Sequence, residues 1–130
     1  MTRSRELQEL ARLTAAVFST QQSRMGLLQQ AEQILRTKLA GLDTSRRARA
    51  LSLTEADPAL QAGADLLWQS WIEQRRAALN AELSRNLVAQ ESVRAALGRA
   101  FGRDQATLAL YSNAKRELGK AKARRDDLAS

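Results

Sequence analysis

The residues best equipped for chemistry in this chain are its cations. Lys115, Arg116, Lys120, Lys122, Arg124 and Arg125 crowd one short stretch, and Arg3, Arg5 and Arg12 stand near the other end. Guanidinium and ammonium groups at such density pair with carboxylates and phosphates. Cations near a helix C-terminus are also favoured by the macrodipole, but six exceed what capping requires. Arg3, Arg5 and Arg12 would lie at the start of a helix, where positive charge opposes the dipole. Helix stability therefore does not explain them, and an acidic partner does.

Bond-making chemistry has little to work with. The chain contains no histidine and no cysteine, which removes the usual general bases, thiol nucleophiles and soft metal ligands. Carboxylates are scattered along what should be exposed helix, with no sign of a cleft. Gly119-Lys120 ends like a phosphate-binding loop, but Ala121 follows and Ala114 stands where its first glycine belongs. Gly98 and Gly102 have the spacing of a membrane-helix dimer motif, yet Arg99 and Arg103 exclude a bilayer setting. The expectation is no enzyme activity, no cofactor and no metal.

Trp68 and Trp71, with Ile72, form a concentrated apolar cluster three to four residues apart, on one broad helix face. A two-helix seam has room for one of the two rings. Trp68 shares the seam with Ile72, so Trp71 is the expected contact with a partner, and Arg75 lies one turn beyond it.

The elements that position these residues follow from composition. Ala (24) and Leu (21) far outnumber Val plus Ile (5), and Ala and Leu lose little side-chain freedom in a helix. Aromatics are only 4%, so little large apolar area is available for a compact core. The only proline, in Asp57-Pro58, is a helix start signal and stops what precedes it. These features predict an all-α fold: one elongated antiparallel two-helix coiled-coil hairpin over residues 1–130, with helix 1 about 4–54, a tip about 54–58 and helix 2 about 58–122. Gly98 and Gly102 weaken helix 2, and Asp104 could restart it, so a break at 98–104 is the alternative.

Before the tip, Leu7, Leu10, Val17, Leu28, Ala31, Leu35 and Leu42 recur at coiled-coil spacing, with Thr14, Gln21, Arg24 and Lys38 between them, and the spacing continues through Leu39, Ala50 and Leu53. After it the seam reads Trp68, Ile72, Leu79, Leu83, Val93, Leu97, Ala100, Tyr111, Ala114 and Leu118, interrupted by Arg76, Asn86, Gln90, Asp104 and Thr107. Facing residues of an antiparallel pair have numbers that add to a constant. Val17 with Leu97, Leu35 with Leu79 and Leu42 with Ile72 all give 114, which centres the turn on Asp57. Glu73–Arg76, Glu82–Arg85 and Glu91–Arg94 add helix support at i, i+3.

The formal net charge of +7 suits nucleic acid, acidic lipid or an acidic protein surface. No run approaches the roughly 20 apolar residues of a membrane span, and the basic start lacks the apolar core of a signal peptide. A cytoplasmic setting is expected.

A basic, Ala/Arg/Leu-rich hairpin of this length resembles the FliJ-like family of flagellar export proteins and the YscO-like proteins of injectisome-type secretion. The stretches that carry the likeness are Trp71-Ile72-Glu73-Gln74-Arg75-Arg76 and Ala100-Phe101-Gly102-Arg103-Asp104-Gln105-Ala106. The resemblance implies a stalk, peripheral to the membrane-embedded export apparatus, whose paired ends enter a ring of export ATPase subunits and whose tip region approaches the export gate. The ring-facing residues would be Arg3, Arg5, Arg12, Lys115, Arg116, Lys120 and Lys122. The gate-facing ones would be Leu39, Leu42, Trp68, Trp71 and Ile72. The competing readings are a nucleic-acid-binding coiled coil and a homodimeric helical scaffold.

Overall fold

The structure is a computed structural model that describes residues 2–52 and 58–129. Two helices account for them: α1, Thr2–Ser52, and α2, Pro58–Ala129. They pack against each other as a helical hairpin, and no strand occurs among the described residues. Pro58 heads α2, where its missing N–H and fixed φ cost nothing. The rest of the expected tip, Thr54 to Asp57, lies outside the described residues, as does Leu53.

Helix 2 is continuous through 98–104, and the alternative of a break there does not occur. Gly98 and Gly102 both adopt helical backbone angles within α2. Each costs about 1 kcal/mol relative to Ala, but Ala100 (2% exposed) and Asp104 (8%) between and beyond them are anchored on α1. Packing on both sides of the weak points outweighs the propensity loss. The helix also runs past the expected end at 122.

The α2 seam is as the spacing predicts. From Trp68 to Ala114 every expected position is buried or half-buried, including the polar Arg76, Asn86, Gln90, Asp104 and Thr107, whereas Leu118 is exposed. The α1 seam needs correction. Most of the expected positions hold: Leu7, Thr14, Gln21, Leu28, Ala31, Leu35, Leu39 and Leu42 are buried or half-buried. Leu10, Val17, Arg24, Lys38 and Ala50 are exposed instead, and after the first three the burial falls one residue further on, at Ala11, Phe18 and Met25. Two apolar stripes compete for the role on α1. The stripe that wins fills the seam with the larger Phe18 and Met25.

Packing divides the chain into two compact units. The first, the end unit, comprises Met1–Met25 and Ser92–Ser130; the second, the middle unit, is Gly26–Glu91. In the end unit, Thr14 Oγ1 donates to Asp104 Oδ1 at 3.1 Å and the Phe18 and Phe101 rings lie 5.5 Å apart. These pairs add to 118 and 119, about one turn away from the expected 114, and Val17 does not face Leu97. In the middle unit, cross-helix contacts run from the expected value upward, from 114 for Leu28 with Asn86 to 122 for Glu32 with Gln90.

The middle unit holds the densest apolar packing. Ile72, Leu79 and Leu35 are 1%, 2% and 7% exposed. Beside them runs a hydrogen-bond chain: Arg36 Nε to Glu32 Oε2 (2.7 Å), Gln90 Nε2 to Glu32 Oε1 and to Asn86 Oδ1 (2.7 Å each), and Asn86 Nδ2 to the Leu28 carbonyl (3.0 Å). The Gln90 amide, then Arg36, hold the Glu32 carboxyl below its ordinary value. A polar layer satisfied in this way admits one register.

Candidate functional site

The site expected from sequence is a surface, and its two halves fare differently. Arg3, Arg5, Arg12, Lys115, Arg116, Lys120 and Lys122 are all exposed and all belong to the end unit. α1 contributes the first three and α2 the last four. The antiparallel pairing brings them to one unit: Arg3, Ser4 and Leu7 share a surface depression with Leu110, Asn113, Ala114, Glu117 and Leu118. Three of the seven have a local partner. Arg12 pairs with Glu9 at 3.4 Å, Lys120 with Glu117 at 3.9 Å, and Lys115 lies 5.9 Å over the Tyr111 ring.

Charge is distributed unequally between the units. The end unit carries 13 basic and 6 acidic residues, a net +7, and the middle unit carries 8 of each, a net of zero. The whole formal charge of the chain therefore sits in the end unit. Its pairs Arg12–Glu9 and Lys120–Glu117 each lie within a single helix. In the middle unit, by contrast, Arg46 reaches across the hairpin to Glu73 (3.7 Å) and Arg49 to Asp65 (3.3 Å), while Arg36, Arg47 and Arg76 pair along their own helices.

The second expected surface contracts. Ile72 is fully buried, and Leu39, Leu42 and Trp68 are half-buried in the seam. These four hold the hairpin together and offer a partner little. Trp71 alone presents a large exposed face, at 55%. Of the two tryptophans, Trp68 is the one in the seam and Trp71 the one outside it, as the spacing predicts. Spacing alone did not reveal why Trp68 sits well in its seam: the Arg49 guanidinium stacks 4.8 Å over its ring.

The structure adds three cations that the sequence reading left out of the site. Arg24, Arg99 and Arg103 are exposed in the end unit and form no ion pair among the described residues. The sequence signal for this part of the surface is Arg99 and Arg103, which stand one turn apart. Also unexpected is a cleft lined by Leu13, Thr14, Val17, Ala100 and Arg103. Among the described residues, no His, Cys, Asp or Glu group could hold a metal ion, and no helix is long and apolar enough to cross a membrane.

No protein-family model, curated protein or solved structure matches the chain.

Proposed function

We propose that the chain is a non-enzymatic helical adaptor whose basic end unit docks on an acidic protein partner. The observation that carries this reading is the partition of charge: +7 on one unit and zero on the other. Arg3, Arg5, Arg116 and Lys122 have no ion pair among the described residues, and two clusters of like charge share one unit. An acidic surface relieves that repulsion and forms charge-assisted hydrogen bonds with the free guanidinium groups. In line with the FliJ-like resemblance, the partner proposed is the ring of a type III export ATPase, with the export gate meeting the exposed face of Trp71. The adaptor would then be cytoplasmic and peripheral to the export apparatus.

The test is reconstitution with the export ATPase encoded by the same genome. The chain should stimulate ATP hydrolysis. Reversing Arg5, Arg12 and Lys115 together to glutamate should abolish stimulation and leave helicity intact. The same cations would also suit phosphates. Loss of DNA binding in that triple variant, with a steep salt dependence and unchanged ATPase stimulation, would move the assignment to a nucleic-acid-binding protein.

A further inference from the structure

The α1 residues that lose the competition for the seam make a second one. Leu10, Leu13 and Val17 are 44%, 62% and 49% exposed, and their spacing of three and four places them on one helix face. Thr20 and Arg24 continue the same spacing. On α2, Ala100 and Arg103 close the cleft against Leu13 and Val17. Seven residues before Leu10 and seven after Arg103 come Arg3 and Leu110, which share the neighbouring depression. Both depressions therefore lie on one side of the end unit. The result is an apolar groove that Arg103 lines, with Arg3 and Arg24 at the two ends of the α1 stripe. None of the three is in an ion pair among the described residues. Arg5, Glu6 and Glu9 stand beside Leu10 and Leu13 in the adjoining depression, where Glu9 is already paired with Arg12.

We infer that this groove receives an amphipathic helix whose apolar stripe is flanked by carboxylates. The inference rests on the reading of the end unit as the acid-binding part and specifies how the acid is presented. Spacing of three and four along α1 is what a third packed helix meets as ridges and grooves. The rim selects the flanking charge. A second copy of this chain is the wrong occupant, because it would set one +7 unit against another. From Leu10 to Arg24 the stripe spans about 21 Å, so the guest helix needs about four turns.

Binding to the full chain can be followed by fluorescence anisotropy. The probe is a synthetic four-turn peptide with leucine at seam spacing and glutamate on both flanks. The controls are the same peptide with lysine flanks and a scrambled peptide of the same acidic composition. The acidic amphipathic peptide should bind at least about tenfold tighter than either control. Leu13→Ser with Val17→Ser should cost about tenfold or more in affinity without loss of helicity, and Arg103→Glu should act in the same direction. Leu87→Ser with Val88→Ser, exposed apolar positions in the middle unit, should change nothing. Equal binding of the acidic and scrambled peptides, lost only on reversal of Arg5, Arg12 and Lys115, would overturn the groove while leaving an acid-binding end unit. Failure of every acidic probe would overturn both. A dimer in sedimentation equilibrium that Leu13→Ser with Val17→Ser dissolves would assign the groove to a second copy instead.

Discussion

Residues 26–91 and the two segments that flank them are built from the same pair of helices, yet they handle polar groups in opposite ways. The middle unit ties several of its charged and polar groups together across the seam. Arg46 and Arg49 bridge the helices, and Glu32, Gln90 and Asn86 form a connected hydrogen-bond chain beside Ile72 and Leu79. The end unit puts small or polar residues in its seam, among them Thr14, Ala100, Asp104 and Thr107, and leaves its arginines on the surface. Under the proposed function the difference separates two tasks: one unit holds the hairpin, and the other carries the charge that a partner would read.

The largest effect should come from the middle unit's core. Ile72→Ala removes a side chain that is 1% exposed and should destabilise the hairpin by about 2–5 kcal/mol in urea melting. Ala100→Gly, at a comparably buried seam position in the end unit, should cost only about 1 kcal/mol. Similar losses at both sites would erase the distinction between the units.

The end unit can also be tightened. A Cβ built at Gly98 or Gly102 meets nothing within 4 Å, and neither glycine has a positive φ. Each Gly→Ala should therefore stabilise by up to about 1 kcal/mol. A loss of stability instead would mean that α2 is not continuous helix there.

Trp68→Ala should lower the melting temperature, because it removes a half-buried ring and leaves Arg49 without its stacking surface. Trp71→Ala should hardly change it, and should weaken binding of the proposed gate partner. Equal effects of both on melting would remove the interface role of Trp71.

The smallest effect concerns pH. The Glu32 carboxyl titrates below its ordinary value of 4.5 in the folded chain, chiefly through the Gln90 amide and then Arg36. A depressed folded value contributes stability that is present above the unfolded pKa and lost as pH falls through the folded one. Thermal melts from pH 6 to pH 3 should show a steeper acid decline for the natural chain than for Glu32→Gln. Parallel declines would mean that the Glu32–Gln90 bond does not persist in solution.

How much of this was legible depended on how many stripes each helix carries. α2 has one continuous stripe, so Trp68 through Ala114 could be read position by position, polar interruptions included. α1 has two. Leu10 and Val17 look as well suited to the seam as Phe18 and Met25, and only packing against α2 decides between them. The convergence of Arg3, Arg5 and Arg12 with Lys115, Arg116, Lys120 and Lys122 was readable because antiparallel pairing follows from one proline near mid-chain. The partition of charge was not, since the boundaries at Met25 and Ser92 come from packing. Nor was the Arg49–Trp68 stack, which joins residues on different helices.

The central claim is that position, and not total charge, makes the end unit the binding surface. Two triple reversals to glutamate separate the two: Arg5, Arg12 and Lys115 in the end unit, or Lys38, Arg75 and Arg85 in the middle unit, all exposed. Each reversal subtracts two charges, so both variants fall from +7 to +1. Affinity for the acidic partner, measured at one fixed ionic strength, should collapse in the first variant and stay within about twofold of the natural chain in the second. Equal losses in both would show that the partner responds to net charge alone, and would contradict the division of labour between the units.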